Sequence, residues 1–121
     1  MQLQDFYKVN TIETVENKTT ANIKINKNHE IFKGHFPNNP VTPGVCMMQI
    51  IKELTEKVVS KNLFMQTSSN IKFMAIINPE LTPNLDLTLD IIKTDEGYKV
   101  KNVTKFEDTV ALKLSALFTV K

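Results

Sequence analysis

The residues best suited to chemistry lie between His29 and Val45, in the run His29-Glu30-Ile31-Phe32-Lys33-Gly34-His35-Phe36-Pro37-Asn38-Asn39-Pro40-Val41-Thr42-Pro43-Gly44-Val45. This is a loop dense in Asn, Gly and Pro that carries a histidine and leads into the start of a helix. The first N–H groups of a helix have no intrahelical acceptor and carry partial positive charge. They can hydrogen-bond a carbonyl oxygen that gains negative charge in a transition state. An imidazole nearby moves a proton at neutral pH. Together these suit removal of a proton next to a thioester carbonyl.

The elements that must hold this arrangement can be read from periodicity. Pro43 suits the first turn of a helix, and Thr42 before it suits the N-cap. No further breaker occurs before about Ser60. At about 100° per residue, Met47, Ile50, Ile51, Leu54 and Val58 gather on one side. Gln49, Lys52, Glu53, Glu56 and Ser60 gather on the other. Val45, Cys46 and Met48 are apolar off that stripe, which predicts a helix start buried nearly all round, Gln49 included. Before the helix, residues 5–15 and 19–25 read as strands, the second with Ala21, Ile23 and Ile25 on one face. After it, residues 69–77, 85–92, 98–106 and 109–120 read as four more. The third places Ile71, Phe73, Ala75 and Ile77 together. The fourth sets Leu85, Leu87, Leu89 and Ile91 against Asp86, Thr88 and Asp90. The run Thr94-Asp95-Glu96-Gly97 has hairpin chemistry, and Glu107-Asp108 joins the last pair. The order β-β-α-β-β-β-β predicts an α+β domain with its helix packed against a mostly antiparallel sheet.

Composition removes several function classes. The chain has 121 residues and 41% hydrophobic content, which suits a single domain over residues 1–121 with its own core. One cysteine, Cys46, excludes an internal disulfide and a Cys-cluster metal site, and two histidines leave little for a His-rich one. The net charge is +2, and every basic residue is a lysine. Arginine is the usual reader of base edges, and the lysines are scattered, so a nucleic-acid role has little support. No apolar run reaches membrane-span length, and no signal-peptide pattern opens the chain, so the expected location is cytoplasmic.

The segment Gly34-His35-Phe36-Pro37-Asn38-Asn39-Pro40-Val41-Thr42-Pro43-Gly44-Val45-Cys46-Met47-Met48-Gln49 resembles a motif of the 3-hydroxyacyl-acyl-carrier-protein dehydratases of the FabA/FabZ type, approximately G-H-F-P-G-x-P-V-x-P-G-V-x-x-x-[E/D]. The stretch Asn70–Pro79 looks like the strand that follows the helix in that family. The resemblance implies the hotdog fold: one long central helix wrapped by a curved, mostly antiparallel six-stranded sheet. It implies that His35 abstracts the proton next to the carbonyl. The N–H groups of Gly44 and Val45 would bind the thioester oxygen, and the Val41 carbonyl would orient the histidine. It also implies a homodimer or larger oligomer of dimers, with sites formed between subunits, and a substrate carried on acyl carrier protein or coenzyme A. No cofactor and no metal is implied.

One position departs from the motif. The family places Glu or Asp on the helix, to help expel the hydroxyl; here Gln49 stands there. An amide can hydrogen-bond but cannot supply a proton. Glu53 lies one turn further along the same face, where family members often have Gln, so the two types look exchanged. The axial step is about 6 Å, which leaves Glu53 a substitute acid only through a bridging water. Asn38 replaces a family glycine, and Asn tolerates positive φ better than most residues.

Weighed singly, other residues read as structural. His29 reads as a solvated loop residue, Cys46 as a buried thiol, and Met47, Met48, Met65 and Met74 as core or tunnel lining. Lys33, Lys72, Lys99, Lys101 and Lys105 would attract an acidic carrier protein, or are simply exposed lysines. Three functions follow. One is a dehydratase giving a trans-2-enoyl thioester in fatty-acid or related polyene or polyketide synthesis. Another is a catalytically impaired subunit paired with an active paralogue in a hetero-oligomer. The third is an acyl thioesterase, against which the loss of a carboxylate at position 49 counts.

Overall fold

A computed structural model describes residues 5–33 and 41–121. Six strands form one sheet: β1 (Tyr7–Val15), β2 (Lys18–Ile25), β3 (Leu63–Phe73), β4 (Asn84–Lys93), β5 (Tyr98–Phe106) and β6 (Thr109–Val120). One helix, α1 (Gly44–Val59), lies between β2 and β3 in sequence, after a short 3-10 turn at Glu30–Lys33. The spatial order is β1-β2-β4-β5-β6-β3, and every neighbouring pair is antiparallel. This is the α+β architecture that the periodicity predicts.

The alternating patterns become the inner face of the sheet. Ala21, Ile23 and Ile25 of β2 are buried, as are Leu85, Leu87, Leu89 and Ile91 of β4. In register, Ala21 opposes Leu87 and Ile23 opposes Leu85. The helix answers with Met47, Ile50, Ile51 and Leu54, each fully buried. Each such side chain contributes about 1.5–3 kcal/mol on leaving water. Buried polar groups on the sheet pair with one another: Asn102 donates to the Thr88 carbonyl at 3.2 Å, and Thr104 donates to Asn102 Oδ1 at 2.9 Å.

The ends of α1 show how the chain enters and leaves the core. Ser60 adopts the left-handed conformation (φ 58°) and its N–H bonds the Glu56 carbonyl at 2.8 Å, closing the helix. The Glu56 carboxylate then accepts the Leu63 N–H at 2.8 Å, turning the chain into β3. At the start, Pro43, not Thr42, is the N-cap, with extended backbone (φ −62°, ψ 144°) and no side-chain cap. Thr42 stands one residue too early for its hydroxyl to cap the first turn. That hydroxyl is buried without a hydrogen-bond partner among the described residues.

Three further expectations need correction. The strand after the helix runs over Leu63–Phe73 rather than 69–77. It pairs with β6 through register shifts at Met65/Thr67 and Ser69/Lys72, and Asn70 is left-handed (φ 53°). β3 is an edge strand, so most of its residues face outward and no alternation marks it. Ile71 and Phe73 are accordingly exposed, while Ile77 is buried beyond the strand. The helix start is not buried all round: Val45 is 58% exposed, and Met48 and Gln49 are half-buried. That face lines a hollow shared with Met65 of β3. His29 is half-buried, with its ring edge-on to Phe6 at 5.2 Å and its Nδ1 accepting the Ile31 N–H. It is a structural residue of the turn rather than a solvated one.

The β4–β5 hairpin closes at Thr94 and Gly97, whose N–H and carbonyl groups bond each other at 2.7 and 3.3 Å. Gly97 has φ 156°, and a Cβ there would meet the Phe118 carbonyl oxygen at 2.1 Å. Gly97→Ala should therefore destabilise the fold by about 2 kcal/mol or more. A thermal melt should show Tm lowered by roughly 5–15 °C.

Candidate active site

The start of α1 is set by a close contact with β3. A Cβ on Gly44 would meet the Phe73 ring at 2.7 Å, so glycine lets the ring lie directly on the helix backbone. Cys46 and Met47 donate to the Pro43 carbonyl at 3.0 and 3.3 Å. The N–H groups of Gly44 and Val45 come before the first intrahelical bond, where helix geometry leaves donors free. Thr42 N–H is tied to the Ile77 carbonyl at 2.9 Å, which holds the approach to the helix against the segment after β3.

Two small hollows open at this helix end. One, about 250 Å³, is lined by Val41, Thr42, Pro43, Gly44, Phe73, Ala75, Ile76 and Ile77. The other, about 230 Å³, is lined by Val45, Met48, Gln49, Lys52 and Met65. Both are mainly apolar. Val41 and Gly44 thus line one hollow, and Val45 and Gln49 line the other. His35 and its neighbours Gly34 to Pro40 lie outside the described residues.

The surprise is behind Gln49. Gln49 Nε2 donates to Glu53 Oε2 at 2.9 Å, and the Tyr7 hydroxyl donates to Glu53 Oε1 at 2.7 Å. The two exchanged residues on the helix are therefore directly bonded to each other. Tyr7 comes from β1, and its part in this network is not visible in the sequence. The one available signal is an aromatic hydroxyl at the inward-leaning start of an amphipathic strand. Burial and the neighbouring Glu53 carboxylate, with a smaller contribution from Glu56, push the Tyr7 pKa well above its ordinary value. Tyr7 is thus a proton-bearing donor throughout the neutral range.

Cys46 is 1% exposed, and burial pushes its thiol pKa up. It is an inert core residue, as expected. Among the described residues no group of three or more His, Cys, Asp or Glu could hold a metal. Among them, too, no helix is long and apolar enough to cross a membrane. A larger cleft of about 750 Å³, lined partly by Lys8, Lys24, Lys27, Asp5 and Glu80, shares Tyr7 with this network.

The raised Tyr7 pKa has a consequence for stability. Below pH 10.0, its ordinary pKa, the phenol is protonated whether the chain is folded or not. Above it, the unfolded chain loses the proton while the folded chain retains it, so stability falls as pH rises. Denaturant titrations from pH 8 to 11 should show this alkaline decline, and Tyr7→Phe should flatten it.

Comparison with known proteins agrees with the geometry. The ApeI-like family, described as ApeI dehydratase, matches residues 11–112. A 3-hydroxyacyl-[acyl-carrier-protein] dehydratase FabZ of Lactobacillus helveticus is 33% identical over 108 residues, covering 84% of this chain and 71% of that protein. The FabZ of Rickettsia rickettsii is 33% identical over 105 residues, covering 79% and 68%. Among solved structures, the dehydratase heterocomplex ApeI:P from Xenorhabdus doucetiae superposes with a TM-score of 0.79 at 15% identity, covering 93% of this chain and 96% of that one. An HP0420 homologue from Helicobacter felis superposes at 0.70 with 10% identity, covering 100% and 79%. These likenesses establish the hotdog fold. With the family match spanning most of the sequence, the chain belongs to the ApeI-like, FabZ-type hotdog dehydratases.

Proposed function

We propose that this chain is a hydro-lyase that converts a 3-hydroxyacyl thioester, carried on acyl carrier protein or coenzyme A, to the trans-2-enoyl thioester and water. The observation that carries the reading is the helix start. Gly44 and Val45 stand in the first turn of α1, where backbone donors have no intrahelical acceptor, they line apolar hollows, and they follow a histidine loop of the family pattern. His35 removes the proton next to the thioester carbonyl. The developing negative charge on the carbonyl oxygen is met by the N–H groups of Gly44 and Val45, and the Val41 carbonyl orients the imidazole.

Expulsion of the hydroxyl needs a proton that Gln49 cannot give. Both Glu53 oxygens already accept hydrogen bonds, from Tyr7 and from Gln49, which suits a fixed anion rather than a free acid. In this reading the proton taken from carbon returns from the His35 imidazolium to the departing hydroxyl. The carbon–oxygen bond breaks, water leaves, and the histidine ends neutral. Gln49 holds the hydroxyl during the transfer.

The unit is a dimer or a larger assembly in the cytoplasm. Val45, Phe73 and Ile76, all more than half exposed, lie at the helix start, and β3 is the edge strand of the sheet. A second subunit would cover this surface and complete the acyl site. Gln49 itself favours a second reading, in which the missing acid comes from a paralogue. The ApeI:P neighbour is described as a dehydratase heterocomplex.

Purified protein should run in solution at no less than twice its 13.8 kDa chain mass. It should form enoyl thioester from 3-hydroxyacyl substrates, and His35→Ala should lower turnover by about 10²–10⁴-fold. Wild-type silence, with activity appearing in Gln49→Glu, would replace this reading with the paralogue one. Release of free thiol without enoyl product would point to thioester hydrolysis instead.

A further inference from the structure

The carboxylate and amide that look exchanged along α1 form a single unit with Tyr7, and the unit has a direction. A carboxylate without a proton only accepts hydrogen bonds, so the group of Gln49 that faces Glu53 Oε2 must be the NH₂ end. The amide is planar, so its carbonyl Oε1 is the end left over. Glu53 in turn is held from its other oxygen by Tyr7, whose hydroxyl reaches across from β1 at 2.7 Å. β1 is itself fixed by its ladder to β2, where Tyr7 opposes Ile25. The chain of contacts therefore runs from a rigid strand, through a phenol and a carboxylate, to an amide that lines the hollow with Val45, Met48 and Met65.

We propose that Tyr7 is a positioning residue of the dehydratase site: it clamps Glu53, and Glu53 locks the Gln49 amide with its carbonyl oxygen presented to the substrate. This rests on the dehydratase reading above and adds to it the polarity of the site. Gln49 Oε1 accepts the hydrogen bond of the 3-hydroxyl group. That turns an oxygen lone pair of the hydroxyl towards the incoming proton. Without the clamp, a glutamine side chain has three rotatable bonds and can present either end of its amide. The position would then offer donor and acceptor in turn.

The test is made on the full-length protein, comparing wild type with Tyr7→Phe and Glu53→Gln. Thr14→Val serves as the control, since it removes only the distant Thr14–Thr19 hydroxyl contact at 2.8 Å. Two readouts are taken. The first is the pair of Gln49 side-chain NH₂ resonances in a ¹⁵N-correlated spectrum, assigned by their loss in Gln49→Met. The second is kcat and KM separately, with a 3-hydroxyacyl thioester. Tyr7→Phe and Glu53→Gln should move the Gln49 pair towards the values of a free glutamine, and Thr14→Val should not. Tyr7→Phe should lower kcat by about tenfold, with KM changed less than about twofold. A Gln49 pair unmoved by Tyr7→Phe overturns the proposal, as does an unchanged kcat in a variant whose amide signals have moved. Wild-type silence towards every thioester removes the dehydratase reading, and the amide resonances alone then decide whether the lock exists.

Discussion

Everything at the site depends on how α1 is seated. Met47, Ile50, Ile51 and Leu54 are buried completely, and together they fix the rotation of the helix about its own axis. Once that angle is set, the outward directions of Val45, Gln49, Lys52 and Glu53 follow from helix geometry alone. The glycine at position 44 sets the remaining freedom, because the Phe73 ring rests where a side chain would stand. The stripe governs rotation, and the glycine contact governs how closely β3 approaches the first turn. A shift in either would move the backbone donors relative to the hollows they face.

The fold was largely legible because its buried strands alternate. β2 and β4 each place every second residue against the helix, and their apolar letters sit in step with that burial. β3 escapes such a reading for the opposite reason. It lies at the sheet edge with two register shifts, so its polar, outward residues carry no period to read. The helix start departs from its pattern on another ground. Apolar residues at Val45 and Met48 imply burial, but within one chain they line an open hollow. Hydrophobicity records a preference for apolar surroundings, and within this chain those surroundings are only partly supplied.

The site itself was half legible. The order of the loop motif and the helix start marks where α1 begins and shows the departure at Gln49. The bond between Gln49 and Glu53 could be suspected from their four-residue spacing. Tyr7 could not, because it stands 46 positions away from Glu53 and meets it only through the wrapping of β1. Local spacing reveals partners on one helix, whereas a partner on a strand is delivered by topology. The exchange of amide and carboxylate also alters the charge at the site. The negative charge is withdrawn one turn along the helix and held there by a phenol, leaving a neutral dipole where the family usually has an anion.

The strand order carries a consequence for how the chain is made. β3 is complete well before β4, β5 and β6 emerge, yet its place in the sheet is beside β6. During synthesis its backbone donors and acceptors must wait from Phe73 to its partner Leu112 before a ladder can form. Over that interval the helix is the element best placed to hold it, through the Phe73 ring on Gly44 and the Glu56 clasp on Leu63. The polar, lightly apolar character of residues 66–70 suits a strand that must stay solvated and unpaired until its neighbour arrives.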